Sequence, residues 1–114
     1  MDTIGKLLFP NQWFDFIDEF INGYARVKLN GKWNFIDTKG TLMSPNQWFD
    51  DTGDFYDGYA GVKLNKKYNF IDTQGKLLSP NQWLDSISRF SNGYAKVELN
   101  GKQNLIYTNG NITS

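Results

Sequence analysis

Asp15, Asp50 and Asp85 stand 35 residues apart, each two places after a Trp. Paired carboxylates can divide general-acid and general-base work, and glycosidases set two of them at a fixed separation. A catalytic centre, however, is one asymmetric constellation. Recurrence at a constant interval therefore points to a turn or capping role for all three. A denser acidic group, Asp50, Asp51, Asp54 and Asp57, lies in Asp-Asp-Thr-Gly-Asp-Phe-Tyr-Asp. Calcium is the cation such oxygens would suit, but the loop that binds it in helix–loop–helix sites ends in a bidentate Glu. None is present here, and the corresponding stretches at 35-residue spacing lack the cluster, so a solvated loop is expected rather than a metal site. No nucleophile elbow, phosphate loop or dinucleotide fingerprint occurs. The chain has no Cys and no His, which removes thiolate chemistry, the commonest general base and the usual nitrogen ligand for transition metals. A non-enzymatic protein without a cofactor is expected.

Trp13, Trp48 and Trp83 share the same interval, each within Pro-Asn-Gln-Trp. Strict repetition suits core packing between units, since one Trp buries on the order of 200 Å². The alternative is a row of aromatic platforms stacking on sugar rings or peptide side chains. The adjoining Asn and Gln are expected to bond turn backbone between copies. Lys28, Lys32, Lys63, Lys66, Lys67, Lys96 and Lys102 gather where hairpins are expected, as a solvated rim that also deters edge-to-edge aggregation.

These residues need a scaffold, and the chain supplies it by repetition. Its 114 residues carry 12 basic and 12 acidic side chains, and 17% are aromatic. A net charge of zero argues against nucleic-acid binding, which needs a basic surplus. No stretch approaches the roughly 20 apolar residues of a membrane span. The opening Met1-Asp2-Thr3-Ile4 lacks the charged and apolar regions of a secretion signal. A soluble, cytoplasmic protein is expected, with no membrane partner.

Residues 5–39, 40–74 and 75–109 align without a gap, and 18 of the 35 positions are identical in all three copies. Residues 110–114 begin a partial fourth, so 1–114 reads as one repeat domain. Tyr24-Ala25-Arg26-Val27-Lys28-Leu29 alternates in the manner of a half-buried strand. Asn30-Gly31 follows as a two-residue hairpin turn and Lys32 to Asp37 as the return strand. This register sets Leu29 opposite Lys32, Val27 opposite Asn34 and Ala25 opposite Ile36. One face is then aliphatic, and the other sets Trp33 and Phe35 beside Arg26 and Lys28. Both faces need cover, so copies must pack on one another. Asp37 to Gly40 reads as a turn, Thr41 to Met43 as a short strand ended by Ser44-Pro45, and Trp48 to Asp50 as a further short strand. Asn65-Lys66 replaces Asn-Gly in the second copy, at a cost of about 1 kcal/mol if Lys66 must sit in the left-handed region.

The copies differ most at 16–19, 51–54 and 86–89. Phe16, Ile17, Asp18 and Glu19 become Asp51, Thr52, Gly53 and Asp54, then Ser86, Ile87, Ser88 and Arg89. A varied loop on a constant frame is where binding specificity resides, and drift in an unconstrained loop gives the same pattern. The binding candidates are therefore Phe16 and Ile17 as an exposed patch, with Asp18, Glu19, Asp51, Asp54, Ile87, Arg89 and the three repeated Trp.

Gly23-Tyr24-Ala25-Arg26-Val27, Asn30-Gly31 and Lys32-Trp33-Asn34-Phe35-Ile36-Asp37 together resemble the bacterial WG-repeat family. The Gly that follows Trp in that family is Asn34, Asn69 and Asn104 here, and Asn can hold a left-handed bulge. The Trp of the motif becomes Tyr68 and then Gln103. The resemblance implies an all-β scaffold used as an interaction module. The expected fold is all-β: three antiparallel β-meander repeats in a small open array, with a closed pseudo-threefold trefoil-like barrel as the alternative. The expected partner is a protein or peptide. Carbohydrate binding through the Trp positions and a small inhibitor or immunity protein are the other readings.

Overall fold

Two-residue turns set the architecture. Asn22-Gly23, Asn30-Gly31, Asp57-Gly58, Asn65-Lys66, Asn92-Gly93 and Asn100-Gly101 all have positive φ at both positions. Such pairs reverse the chain with the twist that antiparallel strands need. In the computed structural model, which describes residues 14–113, they join β1 (Phe16–Ile21), β2 (Tyr24–Leu29) and β3 (Lys32–Asp37) into a first sheet. A second sheet holds β4 (Asp51–Tyr56), β5 (Tyr59–Leu64) and β6 (Lys67–Ile71). The third holds β7 (Ser86–Ile87), β8 (Tyr94–Leu99), β9 (Lys102–Tyr107) and β10 (Ile112–Thr113), in the order β10-β9-β8-β7. All pairings are antiparallel, and the expected β2–β3 register holds at each position.

The array is open. Its principal extents are 47 × 27 × 19 Å, and among the described residues no strand of the third sheet pairs with the first. The closed-barrel alternative is thereby overturned, because each sheet packs on the next in line rather than curling back. The start of the partial fourth copy completes the third sheet, with Ile112 opposite Ile106.

Several segments differ from their expected form. Thr41 to Met43 shrinks to one bridge, Ile36 with Leu42, and Trp48 to Asp50 to another, Trp33 with Phe49. Both lie on the outer edge of β3, separated by a turn closed by Gln47 N–H donating to the Ser44 carbonyl. In the first two copies the varied stretches are not loops: Phe16–Ile21 and Asp51–Tyr56 are edge strands, each with a register shift between Ile17 and Phe20 or between Thr52 and Phe55, whereas in the third only Ser86–Ile87 is strand and Ser88-Arg89 lies beyond it. A bulge breaks the two-residue alternation that marks a strand, and it re-aims the side chains it contains. Asn34 and Asn69, expected as left-handed bulges, sit instead in regular ladder opposite Val27 and Val62 without positive φ.

The first two sheets are covered on both faces, and the third on the face that carries Ala95, Val97 and Ile106. Ala25, Val27 and Ile36 pack with Ile17, Phe20, Leu42 and Trp48. Phe35, on the opposite face, joins Phe49, Phe55, Val62 and Ile71 of the second copy, with Tyr24 and Trp83 at the margin. The same arrangement recurs one copy on, where Phe70, Leu84, Phe90, Val97 and Ile106 cluster with Tyr59 and Ile87. Burying such side chains is worth about 1.5–3 kcal/mol each, and no copy can do so alone. Gly75 and Gly110 let the connecting turns nest: a Cβ would stand 2.8 Å from the Met43 carbonyl oxygen at one and 2.7 Å from that of Leu78 at the other.

Lys66 has φ 70°. Lys66→Gly removes that left-handed cost and is expected to stabilise the chain by about 1 kcal/mol, read as a higher urea midpoint at unchanged slope.

Candidate functional site

The repeated carboxylates fasten hairpins. Asp15, Asp50 and Asp85 accept from the backbone N–H of Asn30, Asn65 and Asn100 at 2.9, 2.9 and 2.8 Å. Asp50 also pairs with Lys32, and Asp85 with Lys67, so each ties its own turn to the preceding copy. Those Lys hydrogen bonds, followed by the turn N–H, hold both carboxyls below the usual range. Asp18 is lowered in the same sense, first by Arg26 and then by the Glu19 N–H. A lowered folded pKa means stability that is complete above the ordinary carboxylate value and lost as pH falls through the folded one. Melting temperature is therefore expected to hold down to about pH 4 and to drop below it. Asp50→Asn together with Asp85→Asn should flatten that acid limb, as followed by circular dichroism.

The two junctions between sheets are built differently. At the first, Asn22 Nδ2 donates to the Phe55 carbonyl at 2.7 Å. Arg26 donates from Nη2 and Nε to Asp18 Oδ2 at 2.6 and 3.2 Å, and from Nη1 to the Thr52 carbonyl at 2.9 Å. Its Nε lies 3.6 Å from Asp54 Oδ1, and its guanidinium stands 4.9 Å from the Trp33 ring centroid. Both carbonyls belong to β4, so the first copy stitches the edge of the second.

At the second junction, Asp57 and Gly61 occupy the places of Asn22 and Arg26, and neither carries a side-chain donor. Gly53 stands where Asp18 did, with nothing within 4 Å of a Cβ built there. What results is a cleft of about 300 Å³, lined among others by Asp51, Asp54, Tyr56, Tyr68, Ile87 and Arg89. The Arg89 guanidinium lies 4.5 Å from the Tyr56 ring centroid, and Lys63 Nζ 5.6 Å from that of Tyr68.

A family model described as WG containing repeat matches residues 1–33, 35–68 and 70–102, nearly the whole chain. The chain belongs to the WG-repeat family. Among curated proteins and among solved structures, nothing matches it. In this WG-repeat chain the residue after the motif aromatic, Asn34 or Asn69, is fully buried. Asn34 Nδ2 donates to the Ser44 carbonyl at 2.8 Å, and its Oδ1 accepts from the N–H groups of Phe35 and Ser44 at 2.8 and 3.2 Å. Asn69 repeats this set on Phe70 and Ser79. The Asn therefore locks the Pro-containing turn onto the sheet, a role its strict recurrence could have signalled.

The candidate residues divide among several places. Asp51, Asp54, Ile87 and Arg89 meet in the cleft. Phe16 is 47% exposed and meets Trp33 edge-on at 6.1 Å. Ile17 does not belong to an exposed patch, because it lies opposite Val27 and packs on the Ala25 cluster. Asp18 is engaged by Arg26, and Glu19 is exposed. Trp48 and Trp83 are half-buried against the hydrophobic clusters, and Trp48 tilts on Phe14 at 6.3 Å. Trp13 lies outside the described residues. The acidic group does not gather as a set of four: Asp50 serves a turn, Asp51 faces Lys63 in the ladder and Asp54 faces Arg26 while both line the cleft, and Asp57 sits in a hairpin turn rather than a solvated loop. The unforeseen contributors are Gly53 and Gly61, absences visible only against the first copy.

No helix among the described residues is long and apolar enough to cross a membrane.

Proposed function

We propose that the chain is a non-catalytic binding module that recognises a protein or peptide through positions on and beside the edge strands that differ between copies. The observation that carries this is convergence: four varied residues, Asp51, Asp54, Ile87 and Arg89, line one cleft. The constant positions meanwhile are spent on turns, clusters and buried amides. A rigid frame with variation concentrated at one concavity is how repeat scaffolds separate folding from recognition.

The test uses the immobilised full chain and a variant combining Asp51→Ser, Ile87→Ser and Arg89→Ser, its fold verified by circular dichroism. A protein retained by the parent and released by the variant, with the difference reproduced by the purified pair in titration calorimetry, is the expected result. Equal retention by both chains, or binding confined to a glycan panel, would overturn the reading.

A further inference from the structure

The geometry points to a carboxylate side chain of an extended peptide, glutamate above all, as the group this cleft receives. The assignment rests on the binding-module reading and adds the chemistry of the ligand.

The first junction shows what such a space looks like when filled. There Arg26 occupies it, with Asp18 and Asp54 as anionic neighbours. In the next copy the cation and its main counterion disappear together, as Gly61 and Gly53. Ile87 leans toward the gap, its Cδ1 2.6 Å from where a Gly61 Cβ would stand, and supplies an apolar wall. The third change is a reversal of sign: the residue corresponding to Asp54 is Arg89.

Charge pairing then decides the ligand. Asp54 lies 3.6 Å from Arg26 across the first junction; Asp51 has Lys63 as its register partner without an ion pair among the described residues, and Lys63 and Arg89 bring two cations to the same cleft. Arg89 forms no ion pair among the described residues and rests on the face of Tyr56. A cation entering the cleft would meet both Arg89 and Lys63, with Gly53 in place of the Asp18 carboxylate that holds Arg26 and with Asp54 shared with Arg26. A carboxylate would meet a planar guanidinium able to donate two parallel hydrogen bonds. The apolar walls formed by Ile87 and Tyr68 suit the two methylenes of glutamate rather than a bare anion.

The probe is the acetylated, amidated peptide Ala-Leu-Glu-Leu-Ala, compared with its Gln and Lys counterparts, titrated into isotope-labelled full chain. Saturable chemical-shift changes at the Gly61 amide, the Ile87 methyls and the Arg89 side-chain N–H are expected. The Glu peptide should bind about fivefold more tightly than the Gln peptide, and the Lys peptide weakest. Arg89→Gln should abolish the preference, and Arg89→Glu should invert it toward Lys. Equal binding of the Glu and Gln peptides, a preference that survives Arg89→Gln, or the absence of saturable shifts in the cleft would overturn the assignment. A protein partner lost on combined substitution, without carboxylate dependence in these peptides, sinks this assignment alone. A clear Glu preference without any cleft-dependent protein partner sinks the wider reading instead.

Discussion

Asn69→Ala is expected to destabilise the chain by roughly 3–5 kcal/mol, because it strands several buried backbone groups at once. The Asn69 side chain is fully buried and serves the Ser79 carbonyl and the N–H groups of Phe70 and Ser79. Each orphaned group costs about 1–3 kcal/mol, and neither water nor an alternative donor reaches a closed turn cheaply. Against a typical stability of about 5–15 kcal/mol, that is a large fraction. Urea unfolding followed by Trp fluorescence measures it. Asn69→Asp should be no better, since it loses the donor to Ser79 and buries a charge. Asn104 is the internal comparison: its Oδ1 is buried with no hydrogen-bond partner among the described residues, so Asn104→Ala should cost markedly less. A loss below about 1 kcal/mol at Asn69 would show that the amide is not what holds the turn.

Phe90→Ala is expected to cost about 3–5 kcal/mol and to break cooperativity as well. Phe90 is 1% exposed and packs against Tyr59, tilted, and Phe70, edge-to-face, at centroid distances of 4.6 and 4.7 Å. Phe55 is its counterpart at the first junction, on Tyr24 and Phe35, both at 4.8 Å. The two substitutions remove the same side chain from equivalent sockets, yet their consequences should differ. After Phe55→Ala the first junction still has the Asn22 and Arg26 stitches, so unfolding should remain a single transition. The second junction lacks both. With coupling between neighbours reduced, the third sheet should open first, seen as a second urea transition and early amide exchange in β8 and β9. A single transition of equal cost in both variants would contradict the difference drawn between the junctions.

Local chemistry explains which features are legible in the residues. The β2–β3 hairpins are readable because alternation and a positive-φ turn agree over Tyr24 to Asp37. Openness of the array follows from both faces of a sheet being apolar and each finding cover in line. The edge strands are not readable, since the bulge at Asp18-Glu19 and Gly53-Asp54 interrupts alternation just where one would look for it. Recurrence alone points the repeated Asp residues to turns, while their Lys partners across copies depend on how sheets stack, which no single copy encodes. At Asn34 the recurrence hints at a fixed role while the residue type suggests backbone tolerance, and the buried side-chain bonds that define the role come from a turn ten residues away. The cleft is the hardest to foresee. It arises from side chains that the second copy lacks, and a missing side chain has meaning only against a structure showing what its counterpart fills.

The unequal junctions also mean that the copies carry an order. Excising residues 40–74 would leave an unbroken alignment, but it would set Arg26 against Arg89 in place of Asp54 and force a full guanidinium onto the site where Ile87 now leans. The first copy is thus cut to fit the second as its successor, and the succession of units along the chain works as a keyed assembly in which setting the third copy directly after the first yields a misfit.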